Sequence, residues 1–272
     1  MDDPLSQAKR LDLLVEAFKN DSIQYKDYPT PEDTEGKRKL LRSLMNIRMP
    51  KTMDASVLSI QDDYLRERIR EDGITQLSDI PILRNGMCLW QGDITRLAAD
   101  AIVNAANSQM LGCFVPMHTC IDNCIHTFAG IQLREECYRQ MEQLRKRFGE
   151  AYEQPTSIPM LTDGFNLPAK KVVHIVGPIV DGPLTSAHEE ALAACYRNTL
   201  SLCAENDLRS VAFCCISTGV FRFPKERAAE IALTTVSCWL KEYPRQIDRV
   251  IFNVFSDDDR TIYESLFRRA VF

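Results

Sequence analysis

From Met87 to the C-terminus, short apolar runs alternate with helix-length segments. MCLWQ is followed by AIVNAA, a helical stretch from Asp122 to Phe148, KVVHIVGP, a helix from about Ser186 to Glu205, SVAFCCIS, a helix from Pro224 to Lys241, RVIFNVFS and a last helix from Asp257 to Arg269. Runs of about four to eight apolar residues fit buried strands, and the segments between them are long enough to return the chain to the same end of a sheet. The pattern implies an α/β domain with a mixed or mostly parallel sheet and helices on both faces. Ligands in such sheets bind beyond the carboxyl ends of the strands. The loops expected there are GDIT at 92–95, NAANSQMLG at 104–112, GPIVDGP at 177–183, STGVFRFP at 217–224 and FSDDD at 255–259.

Residues 1–85 read differently. Leu11, Leu14, Val15 and Phe18 follow the i, i+3, i+4, i+7 spacing of an amphipathic helix, and Leu40, Leu41, Leu44 and Met45 suggest a second after the polar stretch PEDTEGKRK. A third spans about Asp54 to Glu71, with Gly73 as its stop. The chain therefore divides into a helical N-terminal extension, 1–85, and an α/β domain, 86–272. The extension can serve either as packing for one side of the larger domain or as a docking element for a partner.

Charge and cysteine usage narrow the function. The 272 residues carry 33 Lys and Arg against 38 Asp and Glu, a formal net charge of −5. The longest basic block is Lys37, Arg38 and Lys39, which argues against neutralising a nucleic-acid backbone. The opening Met1-Asp2-Asp3-Pro4 lacks a basic n-region with an apolar h-region behind it, and no run of about 18 apolar residues occurs, so a cytoplasmic chain without a membrane anchor is expected. Ten cysteines are too dilute for a disulfide scaffold and mostly fall in apolar runs, as buried thiols do.

Several loops have compositions that packing does not demand. Asp93, directly after a strand, can accept from an exocyclic amino group while the next N–H donates to a ring nitrogen, as an adenine edge requires; equally it can cap a turn. In Asn104-Ala105-Ala106-Asn107 small residues admit a close ligand, and the amides can bond hydroxyls or the turn itself. Ser217-Thr218-Gly219-Val220-Phe221 ends a strand and leads into a helix, where successive N–H groups can cradle a diphosphate without Lys or Arg; a plain tight turn is the alternative. Cys113-x4-His118-x-Cys120 offers two thiolates and an imidazole, the donors zinc prefers. An open fourth position would make such a metal a Lewis acid or a source of hydroxide, whereas Cys124 or His126 there would close the site. Asp122, beside it, favours the open reading. Elsewhere His174 reads as a hydrogen-bonded core residue, His188 as decoration at a helix start, and His126 as packing beneath the loop. At least one of Cys214 and Cys215 is expected in the core, and Asp257, Asp258 and Asp259 at a helix start.

Taken in order, GDIT, DAIVNAANSQMLG, IDNCIHTFAG, VHIVGP, ISTGVFRFP and IFNVFS over residues 87–272 closely resemble the macrodomain family of ADP-ribose-binding proteins. The resemblance is nearest to the microbial zinc-dependent members, which carry an N-terminal helical extension and hydrolyse protein-linked ADP-ribose. Where other hydrolytic macrodomains have a run of glycines, this chain follows Gly112 with CFVPMHTC. The resemblance implies a three-layer α/β/α macrodomain with a mixed central sheet. It further implies one Zn2+ per chain on Cys113, His118 and Cys120, and catalysis by these residues with Asp122 and Asn107. For ADP-ribose it implies Asp93 and Ile94 at the adenine with Phe255 nearby, and Asn107, Ile121, Asp122 and Asn123 at the distal ribose and diphosphate. Ser217, Thr218, Gly219, Val220 and Phe221 would form the second phosphate loop. The expected reaction is release of ADP-ribose from a mono-ADP-ribosylated protein, with Asp122 orienting the attacking water. A lipoylated carrier protein modified by a sirtuin-type ADP-ribosyltransferase is the implied substrate. The alternatives are a non-catalytic ADP-ribose reader with a structural zinc and an O-acetyl-ADP-ribose deacetylase.

Overall fold

The computed structural model of the protein describes residues 5–269. Three helices come first: α1 (Gln7–Asn20), α2 (Thr34–Ile47) and α3 (Ala55–Asp72). Their starts are set by short polar side chains that satisfy free N–H groups: Ser6 accepts from Lys9 N, Asp33 from Gly36 N and Asp54 from Ser56 N. Gly73, at φ 88°, ends α3 as expected. Leu11, Leu14, Val15, Phe18, Leu41, Leu44, Met45, Tyr64 and Leu65 form the apolar cluster of this unit, and one residue of the larger unit, Ile131, joins it.

Beyond α3 the elements are β1 (Thr75–Gln76), β2 (Ile82–Arg84), β3 (Met87–Gln91), β4 (Leu97–Ala98), β5 (Ala101–Ala106), α4 (Ile121–Ala129), α5 (Ile131–Phe148), β6 (Met160–Asp163), β7 (Lys171–Val176), α6 (Ser186–Glu205), β8 (Ser210–Phe213), α7 (Lys225–Glu242), β9 (Arg249–Val254) and α8 (Asp257–Arg269). Seven strands form one sheet in the order β2-β3-β9-β8-β5-β7-β6. The five central strands are mutually parallel, and β2 and β6 close the edges antiparallel. The sheet is thus mixed, as expected, with α4 and α5 packed on β5 and β6 and a second group, α6, α7 and α8, packed on β7, β9 and β3. Consecutive β-branched residues such as Ile102 and Val103, Val172 and Val173, and Val250 and Ile251 are all fully buried, as strands covered on both faces require. Among the described residues no helix is long and apolar enough to cross a membrane.

The structure differs from the expectations in three places. The helix foreseen from Asp122 to Phe148 is two helices, α4 and α5, meeting at Gly130, whose φ of 94° and ψ of 169° are available to glycine alone. A Cβ there would lie 2.7 Å from Gln132 Oε1 and from Gln61 Nε2. Edge strands β2 and β6, too short to show a period, were not foreseen. The strand SVAFCCIS stops at Phe213, leaving the rest to the loop above the sheet. Between α3 and β3, β1 pairs with β4 and Ile80 is buried in the main core.

Gly130 also fixes how the extension docks. Gln61 of α3 accepts from Ile131 N and donates to Gln132, while Asp62 accepts from Asn166 and Gln132, so α3 satisfies the start of α5. Gly130→Ala is therefore expected to lower stability by about 1–3 kcal/mol, read as a fall in the urea unfolding midpoint. An unchanged midpoint would mean that the backbone relaxes without cost.

Candidate functional site

Parallel strands bring their carboxyl ends to one edge, so the loops after Gln91, Ala106, Val176, Phe213 and Val254 meet there. At the first, Asp93 caps the turn: its Oδ1 accepts from Thr95 N at 2.9 Å and Thr95 Oγ1 at 2.7 Å. The capping expectation holds at that oxygen, and among the described residues Oδ2 takes no hydrogen bond. Ile94 buries its side chain in the core. Asn253 of β9 supports the turn from below, donating to Gly92 O at 2.9 Å.

The loop after β8 is built from strained backbone. Ser217, at φ 65°, is buried with an unpartnered Oγ, and Thr218 donates its hydroxyl to Cys215 O. Phe223 N donates back to Ser217 O, and Val180 N of the neighbouring loop donates to Phe221 O at 2.9 Å. Gly219 and Val220 are left exposed at the tip, and Phe255 stands 80% exposed across the edge.

Asp122 lies at the centre. It sits in the first turn of α4, is 5% exposed, and receives Asn104 Nδ2 at 2.8 Å and Asn107 Nδ2 at 3.5 Å. Burial pushes its carboxyl up to about 6, partly offset by the Asn104 bond and the charge of Arg134. Asn104 is in turn 3.1 Å from His174 Nδ1, and His174 Nε2 lies 3.0 Å from Thr162 Oγ1. His174 is thus the satisfied core histidine expected, held neutral by burial, with its value down at about 3. His126 stacks beneath Gly112, where a Cβ would meet its ring at 2.8 Å, and places Nε2 3.5 Å from Asp122 Oδ1.

Cys113, His118 and Cys120 come together ahead of α4. Their donor atoms all lie within 4.8 Å of one another, and Cys113 Sγ is 3.6 Å from His118 Nδ1. Cys120 is the N-cap of α4, its sulfur accepting from Asn123 N at 3.4 Å, so the thiolate form is favoured by a helix N-terminus. Burial nonetheless pushes its thiol up to about 12, a cost that a bound cation would reverse. Cys124 takes Arg42 Nη2 at 3.6 Å and is outside this group. Among the described residues a second group, His126, Cys137 and His174, also has donor atoms close enough to hold a metal ion, but it is wholly buried beneath Asp122.

Asn123 was expected at the ligand. It is fully buried, and its side chain is spent on the loop: Nδ2 donates to Cys113 O and Val115 O, and Oδ1 accepts from Arg42. Ile121 is partly exposed beside Asp122. Sequence reasoning missed Asn104 as the holder of Asp122. Its position inside a strand was the available signal, since an amide facing the core there needs a buried polar partner.

The buried histidines give a pH-dependent prediction. The unfolded chain protonates His174 near 6.5 and the folded chain only near 3, so stability is lost as pH falls through that interval. Asp122, raised to about 6, works in the opposite direction over part of it. The comparison is therefore between variants: between pH 7.5 and 5, the parent should lose about 2 kcal/mol relative to His174→Asn, read from urea midpoints. Parallel pH profiles would contradict a neutral buried His174.

The Macro domain family model matches residues 103–232. A relative from Treponema medium, named Protein-ADP-ribose hydrolase, is 47% identical over 266 residues, covering 96% of this chain and 99% of its own. One from Staphylococcus aureus with the same name is 40% identical over 266 residues, covering 97% of each. Among solved structures, the Trypanosoma brucei macrodomain in complex with ADP-ribose superposes with a TM-score of 0.61 at 29% identity, covering 82% of this chain and 94% of that one.

Proposed function

The chain belongs to the Macro domain family, and from that premise we propose that it is a hydrolase that releases ADP-ribose from a mono-ADP-ribosylated protein. The observation that carries the reading is the junction ahead of α4, where a buried, held carboxylate adjoins a Cys-His-Cys group on the ligand-facing edge of the sheet. Two relatives that match along nearly their whole length bear the name of that activity, which supports it further.

Each loop has a part to play in the reaction. The free oxygen of Asp93 would accept the adenine amino group while the Ile94 backbone addresses a ring nitrogen. Backbone N–H groups of residues 217–221 would receive the diphosphate, which suits a chain of net charge −5. Phe221 and Phe255 offer apolar faces to a ribose and the adenine. Asn107 and Ile121 flank the distal ribose, with Asn123 acting through the loop it holds. Asp122, ionised above about pH 6, would orient a water and take its proton as the oxygen attacks the anomeric carbon. The bond from that carbon to the protein side chain breaks, and the departing side chain takes up a proton.

Zinc is the metal we assign to Cys113, His118 and Cys120, because two thiolates and an imidazole fit its preference; bound there it would supply Lewis acidity beside Asp122. The deeper His126, Cys137 and His174 group suits a cofactor less well, since both ring nitrogens of His174 already have polar neighbours and no side faces the cleft. All ten cysteines are free thiols, which supports a reducing compartment and our placement of the chain in the cytoplasm. The division into a helical extension and a macrodomain is supported by the separate apolar cluster of α1 to α3. The proposed substrate is a lipoylated carrier protein modified by a sirtuin-type ADP-ribosyltransferase, on the strength of the likeness to the zinc subgroup.

Cys113→Ala and His118→Ala are expected to lower release of ADP-ribose from a mono-ADP-ribosylated protein by at least about a hundredfold while calorimetric binding of ADP-ribose persists. Asp122→Ala should slow release with metal content unchanged. Binding with no release by the zinc-loaded parent would identify a reader instead.

A further inference from the structure

The helical extension reaches into the metal loop from one helix face. Arg42 and Asn46, four residues apart on α2, lie on the same side of the helix. Arg42 Nη2 donates to His118 O at 2.8 Å and to Asn123 Oδ1 at 3.0 Å, and meets Cys124 Sγ at 3.6 Å. Asn46, 1% exposed, accepts from Met117 N at 3.0 Å and donates to Thr127 Oγ1 at 2.9 Å. The backbone is therefore gripped at the N–H of Met117 and at the carbonyl of His118. Met117 itself is held at φ 58°, a conformation a methionine seldom adopts without such support.

The other end of the loop is tied to the same helix. Arg134 of α5 donates Nη1 to Met45 O, Asn46 O and Arg48 O, satisfying carbonyls at the end of α2. Its Nε donates to Leu111 O at 2.7 Å, and its guanidinium lies 4.3 Å over the Phe114 ring. Leu111 and Phe114 flank Cys113, while Met117 and His118 lead to Cys120. The ligand-bearing segment thus hangs between two attachments to α2, with few bonds of its own: His118 N to Val115 O, and the carbonyls taken by Asn123.

We propose that α2 is a working part of the metal site, with Arg42 and Asn46 as positioning residues that set His118 for coordination. The inference rests on the reading of Cys113, His118 and Cys120 as the zinc ligands. It makes the extension neither a packing shield nor a docking arm alone but the outer wall of the metal loop. Partners that orient metal ligands typically govern affinity by about 10- to 100-fold without being ligands themselves. It also gives Cys124 a role outside coordination, as one of the acceptors that hold the Arg42 guanidinium.

The test is zinc affinity of the full chain against a chromophoric chelator, for the parent, Arg42→Gln, Arg42→Lys and Asn46→Ala. Cobalt substitution adds the thiolate-to-metal absorption band as a second signature. Arg42→Gln should bind zinc about 10- to 100-fold more weakly and shift the cobalt band, with Arg42→Lys, which can reach one acceptor only, between the two. Urea midpoints of the metal-free proteins separate this from a merely structural role, which would lower the midpoint and leave zinc affinity alone. Equal zinc affinity in the folded Arg42 variants overturns the proposal. If Asn46→Ala fails to fold, the Arg42 pair still decides, since Arg42 is only partly buried. A parent that binds no zinc, or a Cys113→Ala variant that binds it equally, would instead overturn the metal reading beneath the proposal.

Discussion

A carboxylate buried at the end of a parallel sheet needs a donor, and the hydrogen bond from Asn104 to Asp122 supplies it. Asn104 stands in the middle of β5 with its amide turned into the core, and Asp122 stands in the first turn of α4, where the helix N-terminus favours negative charge. The bond sets the helix against the strand and aims the carboxylate at the cleft. Loss of this anchor would leave a desolvated acid with only the longer 3.5 Å contacts to Asn107 and His126, in the one place where the strand ends, the metal loop and the ribose region of the site converge. The histidines below serve the same arrangement: His174 closes the other side of Asn104 and His126 fills the space under Gly112.

The metal loop departs furthest from what a macrodomain core needs for stability. It has little internal structure, a positive-φ methionine, and two partly exposed thiols at its ends. Loops of this kind are stable only when neighbouring elements over-determine them. Here α4 does so from within, through Asn123, and α2 does so from outside, through Arg42 and Asn46. The extension's own apolar cluster, fastened by Ile131 and by the polar bonds of Gln61 and Asp62, keeps α2 in place for that work.

Much of this was legible in the sequence because it is periodic or locally coded. The strands AIVNAA and MCLWQ, the helices Ser186–Glu205 and Asp257–Arg269, the stop at Gly73 and the helix start at Pro224 follow from apolar spacing and turn chemistry. Cys113, His118 and Cys120 were readable from their spacing alone, and the structure brings their donor atoms together. What escaped was long-range. Gly130 breaks a continuous apolar pattern; a glycine is a possible stop, but that the chain turns there is tied to Gln61 of α3, which meets the start of α5 only in the fold. The service of Asn123 to the loop depends on Arg42, 81 residues away. Asn104 and Arg134 are likewise defined by partners that only the fold supplies.

The central claim is that the metal sits in the loop beside Asp122 and in reach of the distal ribose. Anomalous scattering at the zinc edge from crystals of the chain with ADP-ribose tests it directly. One peak is expected among Cys113 Sγ, His118 and Cys120 Sγ, with the distal ribose between that peak and the Asp122 carboxylate. A peak at His126, Cys137 and His174, or a ribose bound away from the metal loop, would contradict it.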